Sequence, residues 1–218
     1  MTAFSASPFA CRILAVTIVS LLSAPPVSAA PPSSGEPIVV SGFATPESVV
    51  HDPVLDWYLV SNVGAGNPAA LDGNGFFSKV SPGGTVLDLA WIQNGVRGAT
   101  LNGPKGLALY DDALYVADGA TLRVFDRRTG APRRSVAMPN PFAPKGLFLN
   151  DVVVDGEGNA YLTDTRNNAI FVVDSNSRAT VIASGSQLGG PNGMLFDRGR
   201  LSWVTFFGHE VKRLTRSG

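Results

Sequence analysis

Residues 149 to 164, LNDVVVDGEGNAYLTD, read as a strand, a tight corner and a second strand. Two runs rich in β-branched and aromatic residues flank Asp155-Gly156-Glu157-Gly158-Asn159, whose glycines and short polar side chains suit a chain reversal. Two further runs follow, AIFVVD at 169 to 174 and ATVIAS at 179 to 184, separated by Thr-Arg-Asn-Asn and Ser-Asn-Ser-Arg turns. Four short strands joined by such turns make one up-and-down antiparallel sheet.

The unit recurs as PESVVHDPVLDWYLVSN (46 to 62), PKGLALYDDALYVAD (104 to 118) and PNGMLFDRGRLSWVTF (191 to 206). In the second copy, GLALY, LYVAD, LRVFD and RRSVAM again give four runs. Aligned, the copies put Glu47, Lys105, Asn150 and Asn192 in register at steps of 58, 45 and 42 residues, and repeats of ~40 to 50 residues with four strands each are propeller blades. Outside the N-terminal segment no stretch has a 3.6-residue apolar period, so helix content should be low. The expected fold is therefore all-β: a β-propeller of four-stranded antiparallel blades over residues 37 to 218, with blades starting near residues 47, 105, 150 and 192. The fourth copy reaches Glu210 to Leu214 without completing a fourth strand. Ile38-Val39-Val40 is a candidate closing strand, and open blade edges would permit self-association.

The N-terminal segment is of another kind. Residues 1 to 29 carry one charge, Arg12, then an apolar run from Ile13 to Leu22, then Val27-Ser28-Ala29, a small-residue cleavage pattern. The run is about half of the ~20 apolar residues a spanning helix needs, so a signal peptide is expected, with an exported product that is periplasmic or extracellular and has no membrane contact after cleavage. Residues 30 to 36 read as a flexible leader. The single cysteine, Cys11, falls within the signal, which leaves no thiol for disulfides or thiolate metal sites. The 17 basic and 17 acidic residues cancel, giving no net field to attract nucleic acid. Arg127, Arg128, Arg133 and Arg134 read as a solvated hairpin tip.

Because strands of a blade alternate in direction, the openings of all four blades share one face. That face should gather Glu47, Lys105, Asn150, Asp151 and Asn192 near the axis, with the loops at Asp118, Asp164 to Asn167 and Phe207 to His209 outside them. Glutamate, aspartate and asparagine are hard oxygen donors suited to Ca²⁺ or a Mg²⁺-like ion. Such an ion polarises a carbonyl and acidifies a bound water, chemistry that permits lactone or ester hydrolysis. Asn and Asp are equally turn residues, whereas Glu47 has no turn role. Lys105 either places a charge where a ligand would stand or pairs with Glu47. His209 is a candidate for proton transfer or a plain exposed hairpin residue, and His51 reads as a core or inter-blade hydrogen-bonding group. Val63 to Gly75 is a long insertion on the same face, either a lid or a floppy stretch. There is no phosphate loop, GxSxG elbow or HExxH, and Asp72-Gly73-Asn74-Gly75 lacks the downstream glutamate of a calcium loop.

PESVVHD, LNDVVVDGEGNAYLTD and PNGMLFD resemble the senescence marker protein (regucalcin), gluconolactonase and luciferin-regenerating enzyme (LRE-like) family of six-bladed propellers. The resemblance covers Glu47 to the C-terminus and implies a divalent ion, Ca²⁺ foremost, at the axis. Glu47 matches the family's first-blade glutamate ligand and Asn192, followed by Gly193, its fourth-blade asparagine. Asn150 matches the third-blade asparagine that lies beside the metal and touches substrate. Asp151 and Arg166 join Asn150 as candidate substrate-binding residues, Lys105 and His209 are the catalytic candidates, and the metal set is Glu47, Asn192 and Asn150. The family's fifth-blade aspartate has no counterpart, so the chain looks like about four blades of an expected six. The implied function is a divalent-metal-dependent lactone or ester hydrolase, inactive if the chain is a truncated form. The alternative is a non-catalytic propeller, similar to NHL-type proteins, that binds a peptide, glycan or protein partner.

Overall fold

Alternating apolar residues along nearly every strand produce four antiparallel sheets, each built from consecutive strands, in a computed structural model that describes residues 36 to 214. Blade 1 comprises β1 (Pro46–Asp52), β2 (Trp57–Asn62), β3 (Phe76–Val80) and β4 (Val86–Gln93). Blade 2 comprises β5 (Pro104–Tyr110), β6 (Ala113–Asp118), β7 (Thr121–Asp126) and β8 (Pro132–Ala137). Blade 3 comprises β9 (Leu149–Val154), β10 (Ala160–Asp164), β11 (Ala169–Val173) and β12 (Ala179–Ser184). Blade 4 has three described strands, β13 (Pro191–Asp197), β14 (Arg200–Thr205) and β15 (Val211–Leu214). Within each sheet, neighbours in sequence are neighbours in space. The expected signal peptide, and the leader up to residue 35, lie outside the described residues.

The inner strands show why the blades stack. On β6, Leu114 and Val116 enter a core with Leu59, Phe77 and Ile92 of blade 1, while Ala113, Tyr115 and Ala117 enter another with Leu149, Leu162 and Phe171 of blade 3. The two-residue period sends alternate side chains to opposite faces, so a strand buried on both faces must be apolar throughout. β11 repeats the arrangement, with Ala169, Phe171 and Val173 toward blade 2 and Ile170 toward Leu201 and Trp203 of blade 4. Truncating a buried ring such as Phe171 would cost about 3 to 5 kcal/mol. First strands of successive blades also touch, β1 with β5, β5 with β9 and β9 with β13.

The expected closing strand is absent among the described residues. Ile38-Val39-Val40 forms no strand; Ile38 and Val40 instead line a groove with Val49, Tyr58, Val60 and Val80 on the outer side of blade 1. Apolar contact with that sheet face takes the place of backbone pairing. Among the described residues, helix is confined to two single 3₁₀ turns, Val96–Gly98 and Ser186–Leu188, and no helix is long and apolar enough to cross a membrane.

Candidate functional site

All four first strands carry the same irregularity. Pro46 pairs with Asn62 and Val49 with Val60; Pro104 with Asp118 and Leu107 with Val116; Leu149 with Asp164 and Val152 with Leu162; Pro191 with Thr205 and Met194 with Trp203. In each pair two residues of the first strand stand opposite one residue of the second, a β-bulge that re-aims side chains. The bulged residues are Glu47 and Ser48, Lys105 and Gly106, Asn150 and Asp151, and Asn192 and Gly193. The bulge is therefore the device that turns the blade-opening side chains toward a common space.

Side chains on the second strands hold the bulges in shape. Ser61 Oγ accepts from Ser48 N at 2.9 Å, and Thr163 Oγ1 accepts from Asp151 N and donates to the Asn192 carbonyl, both at 3.0 Å. The polar residues that end the second strands fix the chain entering each blade. Asn62 Oδ1 accepts from Ala44 N, and Asp118 Oδ1 accepts from Asn102 N and Gly103 N. Gly106 is required by close approach: a Cβ there would lie 2.2 Å from Asp151 Oδ1 and 2.5 Å from Asp151 Cα.

Glu47, Lys105, Asn150 and Asn192, one from each blade, line a single cavity of about 560 Å³ together with Arg166, Phe148, Phe206 and Phe207. Burial is the main cause that pushes the Glu47 carboxyl up, to about 7; Asp151 adds to it and Lys105 opposes it. Solvent reaches Glu47, but from within a concave space whose walls displace much of its hydration, which reconciles an accessible side chain with a raised pKa. Lys105 is 2% exposed, and its Nζ donates to the carbonyls of Gly103 at 3.0 Å and Pro68 at 3.1 Å. Burial pulls its pKa down, Glu47 and Asp118 raise it, and Arg166 lowers it further. Its bond to Pro68 pins the Val63 to Gly75 loop against the cavity, where Val63 and Pro68 form part of the wall.

The donor set is compatible with a divalent ion. No hydrogen bond to a described residue engages the side-chain oxygens of Glu47, Asn150 or Asn192, so all three remain free to ligate. Among the described residues no group of three His, Cys, Asp or Glu converges, which leaves one carboxylate and two amides for such an ion and the remaining positions of a six- to eight-coordinate shell to water or ligand.

Two candidates sit elsewhere. Asp151 turns away from this cavity: its Oδ2 accepts from Met194 N at 2.6 Å and its Oδ1 from Val152 N at 2.8 Å, so it ties blade 3 to blade 4. His209 is an exposed, left-handed residue (φ 54°) between β14 and β15, and is not part of the cavity wall. The arginine cluster is largely consumed by structure. Arg133 bridges Asp112 and Asp126, Arg127 approaches buried Asp52 at 3.6 Å, and Arg134 donates to Ser177.

The sequence places Phe207 in a loop of the blade-opening face, but the aromatic wall it forms with Phe148 and Phe206 is not legible there. Phe148 lies under both cations, 4.4 Å from Lys105 Nζ and 5.1 Å from the Arg166 guanidinium carbon. Phe206 and Phe207 pack edge to face, ring centres 5.1 Å apart, and their amides donate to the carbonyls of Gly190 and Gly189. The available signal was two consecutive aromatics at the exit of a second strand, on the face where the blades open.

Among solved structures, the chain is similar to a catalytically inactive virginiamycin B lyase from Staphylococcus aureus solved with quinupristin (TM-score 0.58, 16% identity, 83% of this chain and 55% of that one). It is also similar to a gluconolactonase from Xanthomonas campestris (TM-score 0.53, 18% identity, 78% of this chain and 58% of that one). A luciferin-regenerating enzyme gives TM-score 0.52 at 13% identity over 78% of this chain and 61% of that one. The shared feature is the propeller fold. The chain thus spans somewhat more than half the length of these neighbours, two of which carry names of the group it resembles in sequence. No protein-family model matches the sequence, and no curated protein matches it.

Proposed function

We propose that this protein is an exported, gluconolactonase-like propeller whose axial cavity supports divalent-metal-dependent hydrolysis of a lactone or ester. The observation that carries the reading is the convergence of one blade-opening residue from each of four blades on one cavity, three of them with uncommitted oxygens. Glu47, Asn150 and Asn192 would hold the ion, Ca²⁺ in the first instance. When bound it supplies Lewis acidity toward a carbonyl and a water of lowered pKa.

The chain's own groups supply the rest. Lys105, locked by two carbonyls, keeps a fixed positive charge where a negatively charged oxygen would develop. The amide N–H groups of Asn150 and Asn192 are donors for a ligand oxygen. Val63, Pro68 and Phe148 give the cavity wall apolar surface. Titrating Ca²⁺ into purified protein while following thermal stability, then measuring lactone hydrolysis by pH-stat, tests the reading. A Ca²⁺-linked rise in Tm that Glu47→Gln abolishes, with hydrolysis lost in parallel, is expected; neither effect in the wild type would refute it.

One observation favours a second reading, a non-catalytic binding propeller. Lys105 stands where an oxygen ligand from blade 2 would otherwise be, which lowers affinity for a dication. On that reading Glu47→Gln leaves ligand binding intact.

A further inference from the structure

We propose that the cavity takes an organic carboxylate with an apolar, ring-sized body, the carboxylate held by Arg166 and the body covered by Phe206 and Phe207. The inference rests on the small-molecule reading of the same cavity. Arg166 is the arginine of the cavity wall, and it has no ion pair with a described residue. It lies over the Phe148 ring, at the cavity, with its side chain exposed. Stacking on a ring restrains a guanidinium while leaving its edge N–H groups free, and that planar fork matches a carboxylate bidentately. Lys105, deeper and over the same ring, adds a second positive charge on this side, while Glu47 is the acidic group of the wall. An anion is thereby oriented toward Arg166 and away from Glu47.

The body of the ligand is set by the aromatic pair. Phe206 is 61% exposed and Phe207 63%, although both belong to the cavity wall. Their position is built in: Gly190 has a left-handed backbone, and a Cβ there would lie 2.5 Å from the Phe207 ring, so a glycine is needed to seat it. Apolar rings gain from burial, and a polyhydroxylated ligand would leave hydroxyls against them without partners. A cavity of about 560 Å³ accommodates a bicyclic ring with its carboxylate. Lactone opening releases a carboxylate, so a product of this class would stay bound at the same arginine.

The test uses the full chain with 2-naphthoate, its uncharged counterpart 2-naphthamide, and gluconate as a polar carboxylate, measured by saturation-transfer NMR and calorimetry with and without Ca²⁺. Binding of 2-naphthoate at least tenfold tighter than either other ligand is expected. Arg166→Gln should weaken 2-naphthoate about tenfold and leave 2-naphthamide unchanged. The double change Phe206→Ser, Phe207→Ser should weaken both aromatic ligands, with thermal melts establishing that each variant is folded. Gluconate binding as tightly as 2-naphthoate, or an Arg166→Gln variant with unaltered preference, would overturn the proposal. Absence of 2-naphthoate binding alongside persistent Ca²⁺-dependent lactone hydrolysis sinks this inference alone. Binding of 2-naphthoate without hydrolysis sinks the hydrolase reading alone.

Discussion

Glu47→Gln should make the metal-free protein more stable above neutral pH and leave it unchanged in acid. The Glu47 carboxyl is raised from its ordinary 4.5 to about 7, chiefly by burial, with Asp151 adding and Lys105 opposing. Its folded pKa therefore exceeds its unfolded one, so its contribution is fully present below about 4.5 and is lost as pH rises through 7. The full displacement would be worth roughly 3 kcal/mol, but water in the cavity screens the group, which leaves on the order of 1 kcal/mol. For a chain of this size that is about 2 to 4 °C in Tm. Urea unfolding in EDTA at pH 4, 6 and 8 should show the Gln variant gaining stability over the wild type across this series. With saturating Ca²⁺ at pH 8 the order should reverse, since only the wild type then binds the ion. A stability difference that does not vary with pH would refute the placement of Glu47 in a desolvating cavity.

Gly106→Ala should destabilise by about 1 to 3 kcal/mol, because its Cβ meets the Asp151 backbone 2.5 Å away; an unchanged Tm would contradict the tight contact of blades 2 and 3. Lys105→Met removes the donor to Pro68 and Gly103, so amides of residues 63 to 75 should exchange faster while β6 and β10 stay protected; equal protection throughout would show that Lys105 does not pin the loop. Thr163→Val, nearly isosteric, leaves Asp151 N and the Asn192 carbonyl without their shared partner and should cost about 1 to 3 kcal/mol in urea unfolding; a neutral result would remove the hydroxyl from the account of the bulge.

The blades were legible because their strands obey a simple rule. A two-residue period with both faces apolar, as in LYVAD and AIFVVD, has few solutions other than a sheet sandwiched between sheets, and the observed β6 and β11 are of that kind. The alignment of Glu47, Lys105, Asn150 and Asn192 was legible too, since the copies share a strand, a corner and a return. Their convergence on one wall depends on the bulge, which two paired strands create and neither strand alone displays. Asp151 illustrates the cost of missing it. Adjacent to Asn150 in sequence, it occupies the second bulge position, where its carboxylate turns to the Met194 amide instead of the cavity. Phe148 was harder still, as was its pairing with Arg166, which the Asp164 to Asn167 loop already makes a candidate. One comes from the linker before blade 3 and the other from the turn after β10, so only the tertiary fold brings ring and guanidinium together. Asp118, placed by sequence on the functional face, lies near Lys105 there, and its carboxylate is occupied by the amides of Asn102 and Gly103 and by Arg123.

The convergence of blade-opening oxygens on a cation is tested most directly by crystals of the protein soaked in Mn²⁺ and measured at the manganese absorption edge. An anomalous peak within about 2.5 Å of oxygens from Glu47, Asn150 and Asn192, lost in Glu47→Gln, is the expected result. Full soaking with no peak at that position, or a peak held by other residues, would contradict it.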